Sequence, residues 1–473
     1  MRGIVLSSDT FIGLRAWEGS ARLALNGQER PVTLVNPAQV LVLGFLTVIV
    51  AGMLLLLLPF ATAAGNDTGI LTALFTATSA VCVTGLVVVD TGTHWTSFGH
   101  VVILLLIQVG GLGIMTMSTS VAMVIGRKVT LRERLAIREA MGQVTLEGMV
   151  RLIRLILLAT VVFEGIGALA LTLRWARDYP LARAAFLGLF HSVSAFNNAG
   201  FDLFSVSLVN YVSDPVTNIT VIILIISGGL GFVVMAELFR RLREGRRFRL
   251  SLHSKIVLTA GILLWVGGAA FLLPAEAANT ETMGALDWMG RIFASVFTSV
   301  TPRTAGFNTV PTGSLRLGSL FLIIALMFIG GAPGSTAGGV KTTTFFVLGA
   351  SAYNTVCRRG EVEVYGRRLA QKTVLNALAI VMLGMMLVFV TTMVLLTSEG
   401  AGLMDCLFEA TSAFGTVGLS TGITGSLSTA GRLIIIFTMF AGRVGPLTLT
   451  MAMRMTDRPD ARYRHPREDI MIG

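Results

Sequence analysis

Long apolar segments dominate this chain, and charged residues are confined mainly to the stretches between them. Six segments contain no charged residue and two more contain a single charge each. A helix that crosses a bilayer needs about 20 apolar residues, so each segment is long enough to span. The pattern predicts membrane-spanning helices within positions 31–66, 91–126, 155–173, 215–236, 256–275, 317–340, 373–398 and 433–453.

Composition narrows the class of protein. Of the 473 residues, 53% are hydrophobic and 13% are charged, whereas soluble domains carry about 25% charge. This excludes a soluble enzyme, a secreted disulfide scaffold and a disordered chain. The cysteines, Cys82, Cys357 and Cys406, are too few and too scattered for a disulfide framework or a zinc site.

The distribution of basic residues predicts the orientation. If the spans alternate, 29 of the 37 Lys and Arg residues lie on the side of both termini, and seven, including Arg303, lie on the opposite side. Because cytoplasmic loops carry the excess of Lys and Arg, we expect a multi-pass plasma-membrane protein with both termini in the cytoplasm. Topology explains the basic loops, so no nucleic-acid partner is expected.

A shorter apolar segment, which begins with phenylalanine and ends in a glycine turn, occurs four times on the outer side. The copies cover 75–86, 190–201, 297–307 and 408–419, with turn glycines Gly85, Gly200, Gly306 and Gly418. A second glycine signature follows each turn after 24 to 28 residues, at Gly110, Gly228, Gly330 and Gly442. Two markers in one register predict four tandem copies of one unit: outer helix, short re-entrant helix, turn and inner helix.

The repeat predicts the domain organisation. A cytoplasmic N-terminus and a cytoplasmic C-terminal tail flank four pore units. The expected boundaries are 1–35 for the N-terminus, 36–126, 127–240, 241–345 and 346–453 for the four units, and 454–473 for the tail.

The turns between the short and inner helices are the candidate ion site. Each short segment has about 10 to 14 apolar residues, too few to span, and irregular backbone at membrane depth requires surrounding protein or water. Four turns around one axis predict an all-α integral membrane protein with a pseudo-four-fold pore. The expected lining residues are Val83, Thr84, Gly85, Asn197, Asn198, Ala199, Gly200, Thr304, Ala305, Gly306, Thr416, Val417 and Gly418.

These turns contain no carboxylate, so backbone carbonyls with a few hydroxyls and amides must supply the ligands. Glycine accepts positive φ, which lets successive carbonyls point towards an axis, as in potassium-channel filters. Neutral dipoles suit a monovalent cation such as K⁺ better than Mg²⁺, which dehydrates reluctantly. Asp90 and Asp202, just beyond two turns, are candidates for concentrating cations at the mouth; the alternative is that they are simply solvated loop residues.

The third inner helix is predicted to break into an intramembrane gating loop at 328–345. Pro333 and five glycines fall within ten residues there, namely Gly330, Gly331, Gly334, Gly338 and Gly339. Each glycine weakens a helix by about 1 kcal/mol and the proline by about 3 kcal/mol. The alternative, close packing through small residues, is our expectation for the signatures at 110–113 and 228–231.

Arg443 is a single charge in the centre of the last span, where charged residues usually face a cavity or a partner. We expect it to belong to the gate and to repel cations in the pore. The alternative is a structural ion pair, for instance with Glu164.

The filter strings resemble those of the Ktr/Trk/HKT superfamily of potassium transporters. The resemblance covers positions from about 36 to 453, carried by the first turn at 83–86, the third at 303–307 and the fourth at 416–420. Eight spans with a short N-terminus are most similar to a Ktr-type membrane subunit. The resemblance implies potassium uptake, an intramembrane gating loop, and an arginine in the fourth inner helix, which Arg443 matches.

The resemblance also implies partners: a homodimer, surrounding membrane lipid, and a cytosolic ring of nucleotide-binding regulatory subunits. K⁺ is the expected transported ion, with no organic cofactor in this chain. The alternative within the superfamily is a Na⁺-permeable or Na⁺-coupled transporter, since one glycine per turn implies fewer ion sites than the longer filters of potassium channels.

Two other function classes are disfavoured by the residues themselves. A membrane enzyme lacks support because the five histidines show no metal-ligand spacing and there is no nucleophile-elbow motif. A solute transporter with inverted repeats conflicts with the shared orientation of the four units.

Overall fold

The computed structural model describes residues 37–63, 68–113, 149–357, 361–445 and 448. The predicted N-terminal segment 1–35, the start of the second unit at 127–148 and the tail 454–473 lie outside the described residues. The described chain from Pro37 onward belongs to one compact unit.

The described secondary structure is helical apart from one short hairpin, which confirms the predicted all-α class. In chain order the helices are α1 (Pro37–Leu56), α2 (Ile70–Val81), α3 (Thr91–His94), α4 (Ser97–Leu112), α5 (Met149–Trp175), α6 (Leu181–Phe196), α7 (Pro215–Gly229), α8 (Phe232–Glu244), α9 (Leu252–Glu276), α10 (Trp288–Val300), α11 (Leu317–Phe328), α12 (Thr342–Val356), α13 (Gln371–Ser398), α14 (Leu403–Gly415) and α15 (Thr429–Val444). A two-stranded hairpin, β1 (Glu363–Val364) and β2 (Arg367–Arg368), lies between α12 and α13.

Four long helices, α1, α5, α9 and α13, are apolar and long enough to cross a membrane. They are the first helices of the four predicted units. Large apolar side chains remain exposed along them, for example Leu158, Ile166 and Leu169 on α5 and Phe389 on α13. Such a surface is unfavourable in water and favourable against lipid tails, so these helices form the lipid-facing part of a multi-pass membrane protein.

Four short helices, α2, α6, α10 and α14, precede the four glycine turns. They have 12 to 16 residues each, and the residues next to the turns, at 75–81, 190–196, 297–300 and 408–415, are buried. Each helix ends where its turn begins: at Val81, Phe196, Val300 and Gly415. The sequence pattern therefore located the four short helices, and their re-entrant path in the membrane stays a prediction.

The inner helices are more broken than expected. The sequence predicts a break only in the third, but the second also bends by 107° between α7 and α8. Gly113, Gly231 and Gly445 follow the ends of α4, α7 and α15 with φ of 81°, 91° and 89°. The glycines favour these helix ends because a side chain at positive φ is strained. The predicted total of eight spans stays a prediction.

The expected close packing at the first two signatures is also present. A Cβ on Gly110 would lie 2.0 Å from the carbonyl oxygen of Val81, and one on Gly228 would lie 1.8 Å from that of Phe196. Likewise, a Cβ on Gly442 would lie 2.0 Å from the carbonyl oxygen of Phe414. A side chain would push the inner helix away from the end of the short helix.

Candidate ion pathway

The four turns share one backbone conformation. In each, the residue two before the glycine is left-handed: Val83 (φ 57°), Asn198 (φ 58°), Thr304 (φ 77°) and Thr416 (φ 51°). The glycines themselves have φ of 88°, 67°, 79° and 92° at Gly85, Gly200, Gly306 and Gly418. Left-handed residues that alternate with ordinary ones turn successive carbonyl groups to one side of the chain, the arrangement that a carbonyl-lined filter requires.

The glycines also meet in a closed ring. A Cβ built on each would lie close to a carbonyl oxygen of the next turn: 2.4 Å from Ala199 for Gly85, 2.9 Å from Ala305 for Gly200, 2.5 Å from Val417 for Gly306, and 2.2 Å from Thr84 for Gly418. Each turn therefore contacts the next turn along the chain, and the fourth turn contacts the first. The four turns therefore surround one centre.

A hydroxyl holds each turn against its short helix, and the sequence reasoning missed it. Ser79 Oγ donates to Leu86 O at 2.7 Å and accepts from Gly85 N at 3.1 Å. The equivalent contacts are Ser194 Oγ to Phe201 O (2.7 Å), Thr301 Oγ1 to Phe307 O (2.6 Å) and Gly418 N to Ser412 Oγ (3.1 Å). The signal was in the repeat, because all four hydroxyls lie four residues after its phenylalanine.

Several predicted lining side chains have unused polar atoms at the ring. The buried hydroxyls of Thr84, Thr304 and Thr416 have no hydrogen-bond partner among the described residues. Burying a hydroxyl without a partner is unfavourable, so a dehydrated cation or water is the ligand that such a site fits.

Asn197 is placed differently from the other predicted lining residues. It is the residue after α6, and its Nδ2 donates to Glu164 Oε1 at 2.9 Å, Gln108 Oε1 at 3.1 Å and Val193 O at 2.9 Å. These contacts hold the amide behind the second turn. They also give Glu164 a partner other than Arg443.

The short helices bias the electrostatics of the site. All four end at the turns, so their C-terminal carbonyl ends, each equivalent to about half a negative charge, converge on the inner side of the ring. This field favours cations there.

The predicted gating loop is an irregular segment between α11 and α12. It covers 329–341, so the helix resumes before the predicted limit of 345. Its base is closed by hydrogen bonds from Gly330 N to Val340 O (2.9 Å) and from Thr342 N to Gly331 O (3.0 Å). All five predicted gate glycines lie in it.

The loop lies against the inner ends of two pore units. Thr336 N donates to Gly228 O at 3.2 Å, and Thr336 Oγ1 donates to Phe196 O, at the end of α6, at 3.3 Å. On the other side, a Cβ on Gly338 would lie 2.1 Å from Thr416 Oγ1. The loop is therefore directly next to the second and fourth turns.

Arg443 binds this loop to the first inner helix. Its Nη1 donates to Thr336 O, and its Nη2 donates to Gly110 O at 2.5 Å and to Gly111 O at 3.4 Å. Arg443 and Glu164 form no ion pair within the described part of the chain, so the alternative of a Glu164 pair is wrong. A guanidinium with backbone acceptors on two elements acts as a clamp.

The two aspartates lie beyond the first and second turns, on the side predicted to face outwards. Asp90 caps α3, accepting from Gly92 N at 2.8 Å, and a Cβ on Gly92 would lie 2.4 Å from Leu203 O, next to Asp202. Burial raises the pKa of Asp202 to about 7, a hydrogen bond with Ser207 opposes the shift, and the charge of Asp90 adds to it. Asp202 is therefore partly buried rather than fully solvated, and its role in concentrating cations stays a prediction.

Two further buried charges were not recognised in the sequence. Glu409 in α14 accepts from Ser420 Oγ at 2.8 Å and from Thr424 Oγ1, both beyond the fourth turn. Arg303, which the charge count placed among the residues of the outer face, is only 6% exposed. That placement is wrong, because its guanidinium binds the base of the gating loop.

Comparisons with known proteins agree with this geometry. A family described as "TrkH: Cation transport protein" matches residues 9–463. The chain is 41% identical to Ktr system potassium uptake protein B of Bacillus subtilis, over 93% of this chain and 97% of that protein. It is 38% identical to potassium/sodium uptake protein NtpJ of Enterococcus hirae, over 93% of this chain and 98% of that protein.

A solved structure shares the fold. The potassium transporter TrkH from Vibrio parahaemolyticus superposes with a TM-score of 0.70 at 18% identity, covering 90% of this chain and 86% of that chain. The resemblance inferred from the filter strings is confirmed, and the family consists of cation transporters rather than enzymes. The chain thus belongs to the TrkH family of cation transport proteins.

Proposed function

We propose that this protein takes up potassium across the plasma membrane, as the membrane subunit of a Ktr/Trk-type system. The observation that carries the proposal is the closed ring of four glycine turns, with paired left-handed residues in every turn. Main-chain oxygens in such a ring can replace the hydration shell of K⁺. The membrane potential supplies the driving force for a cation moving inwards.

In this mechanism the turn residues bind the ion. The carbonyls of residues 83–85, 198–200, 304–306 and 416–418 are its ligands, with the free hydroxyls of Thr84, Thr304 and Thr416 completing the coordination. The converging helix ends favour a cation beneath the ring. Asn197 supports the second turn through its side chain rather than binding the ion with it.

The segment 329–341 acts as the gate. It occupies the space under the second and fourth turns, and Arg443 holds it there through Thr336 O. Conduction requires that the loop leave this position and that the positive charge of Arg443 be screened or displaced. The clamp therefore keeps the resting pore closed to cations.

Sodium permeation or sodium coupling is the second candidate. It is favoured by the 38% identity with a relative whose name includes both potassium and sodium uptake. It is also compatible with a filter that has a single glycine per turn, because fewer ordered carbonyl sites give weaker discrimination between the two ions.

The resemblance to Ktr-type subunits further supports a homodimer with a cytosolic nucleotide-binding ring as regulator. The basic residues of the predicted cytoplasmic face provide a surface for such a ring or for anionic lipid. The same charge asymmetry supports a cytoplasmic location for both termini.

Growth and flux together test the function. Expression in a bacterial strain that lacks potassium uptake should restore growth at low K⁺, and purified protein in liposomes should conduct K⁺ and Rb⁺ in preference to Na⁺. Equal rates for K⁺ and Na⁺ would favour the second candidate. Absence of both growth and flux, with folded protein in the membrane, would contradict the proposal.

A further inference from the structure

Arg303 connects the third filter turn to the base of the gating loop. It directly precedes Thr304, the left-handed residue of that turn. Its Nη2 donates to Gly330 O at 2.9 Å and to Thr342 Oγ1 at 2.6 Å. Gly330 lies where the chain enters the loop, and Thr342 lies where it leaves.

These two residues are joined to each other as well. Thr342 Oγ1 donates to Gly330 O at 2.8 Å, and the backbone bonds that close the loop base flank this contact. One guanidinium nitrogen therefore reaches both ends of the gating loop at once. Separating the ends, or moving the base away from the filter, must break at least one of these bonds.

Arg303 has no alternative partner of comparable strength. Within the described residues its Nε and Nη1 have no acceptor, and no carboxylate forms an ion pair with it. The guanidinium carbon lies 5.3 Å from the ring centroid of Trp265, a cation–π contact. A buried charge whose hydrogen-bond acceptors all lie on the loop base is strongly destabilised if the base leaves.

From these contacts we propose that Arg303 couples the gating loop to the third filter turn, so that loop position and ion binding at the filter affect each other. When the base shifts, Arg303 must follow or lose its acceptors, and the adjacent Thr304 to Gly306 carbonyls move with it. Coupling of this kind is reciprocal. An ion that orders the filter then favours one position of the loop, and a loop that moves changes which ion the filter holds.

The coupling rests on the proposed function, because it assumes that the ring binds a cation. It differs from the clamp at Arg443, which holds the loop tip and whose hydrogen bonds among the described residues go to the loop and the first inner helix rather than to a filter turn. Loss of Arg443 should therefore open the gate without changing ion preference, whereas loss of Arg303 should change both.

The test compares ion binding and ion flux in four variants: Arg303→Gln, Thr342→Val, their double variant, and Arg291→Gln as the matched control. Arg291 is in the same pore unit, and its guanidinium also binds backbone carbonyls, Leu286 O at 2.9 Å and Gly284 O at 2.8 Å, but at the far end of α10. Calorimetric titration of the purified full-length protein with K⁺ and with Na⁺ gives the affinity ratio. Liposome flux gives the leak.

For Arg303→Gln we expect the K⁺ to Na⁺ affinity ratio to fall by at least about fivefold, the lower range of coupling between sites, with a raised leak. Thr342→Val should shift both quantities in the same direction. The double variant should show less than the product of the two single effects, because both changes remove the same Arg303–Thr342 bond. Arg291→Gln should match the wild type.

Two results would overturn the coupling: an unchanged affinity ratio in folded Arg303→Gln or Thr342→Val protein, or effects that simply multiply in the double variant. If Arg303→Gln does not fold, the K⁺ to Na⁺ affinity ratio of Thr342→Val tests the coupling by itself. Thr342→Ser, which keeps the hydroxyl, should then have the wild-type affinity ratio. Calorimetry does not require conduction, so a protein that binds K⁺ without transporting it would refute the proposed function while still testing the coupling.

Discussion

At the scale of single residues, the ring depends on backbone conformations that side chains disfavour. Gly306 has φ of 79°, and a Cβ there would lie 2.5 Å from Val417 O and 2.9 Å from Gly200 Cα. Serine at this position must therefore adopt a strained conformation and also displace two neighbouring turns.

Gly306→Ser should weaken K⁺ binding about tenfold or more, since the left-handed conformation alone disfavours an L residue by about 1–2 kcal/mol. Flux measurements with K⁺, Na⁺ and Rb⁺ should show a lower preference for K⁺. Gly318→Ser is the matched control, because Gly318 belongs to the same pore unit, has nothing within 4 Å of its built Cβ and has no positive φ. Equal behaviour of the two variants would contradict the proposed role of Gly306.

The hydroxyl hydrogen bonds that hold each turn against its short helix give a second prediction at this scale. Thr301→Val removes the bond to Phe307 O and should lower the stability of the third turn by about 1 kcal/mol, with a further penalty for the buried carbonyl left unpaired. Thr301→Ser keeps the hydroxyl and should retain wild-type affinity for K⁺. Titration with K⁺ compares the two, and weak binding in both would assign the effect to shape rather than to the hydrogen bond.

The outer mouth supplies a prediction of pH dependence. With its pKa raised to about 7, Asp202 is charged above that pH and neutral below it, so its attraction for cations is present at high pH and lost on acidification. Uptake at low K⁺ should fall as the external pH drops from about 8 to about 6. Asp202→Asn should remove this dependence, whereas Asp178→Asn, at an exposed carboxylate paired with Arg174, should retain it.

The elements show which features the sequence could reveal. The short helices and turns were predictable because their glycines recur at a fixed distance from a phenylalanine and have a physical reason to be glycine. The loop was predictable because Pro333 and five glycines cannot form a regular helix.

The contacts between distant segments could not be predicted in this way. Arg303 lies 27 residues from Gly330 and 39 from Thr342, and nothing in its local sequence distinguishes a buried arginine from an outer-face one. Similarly, Asn197 meets Gln108 across 89 residues. The bend between α7 and α8 was missed because the glycines at 228–231 were explained by close packing alone. In the structure Gly228 packs closely against Phe196 O, and Gly231 also allows the bend.

Arg443→Gln tests the clamp between elements. The variant loses charge-assisted bonds to Thr336 O and Gly110 O, each worth about 1.5–3 kcal/mol, so the loop should leave its position more often. We expect cation leak in liposomes to rise about tenfold or more. Arg432→Gln, near the other end of the same helix, is the control, since among the described residues Arg432 binds Leu427 O and Gly425 O, away from the loop. An unchanged leak in folded Arg443→Gln protein would exclude the clamp.

At the scale of the whole molecule, the orientation in the membrane decides whether the gating loop lies on the cytoplasmic side or on the outer side of the ring. The described helices fix the relation of the ring to the loop, and the charge asymmetry predicts which of them faces the cytoplasm. The native cysteines provide a probe, because Cys82 and Cys406 are buried and Cys357, just after α12, is exposed.

A membrane-impermeant maleimide should therefore label inside-out vesicles at Cys357 and leave intact cells unlabelled. In a Cys357→Ala background, Ser426→Cys should show the reverse, since Ser426 is exposed in the segment between the fourth turn and α15. Labelling of Cys357 in intact cells would invert the topology. The ring would then face the cytoplasm with the gating loop on the outer side, and the helix field that favours cations would lie on the entry side of the ring in an inward pathway instead of on its exit side.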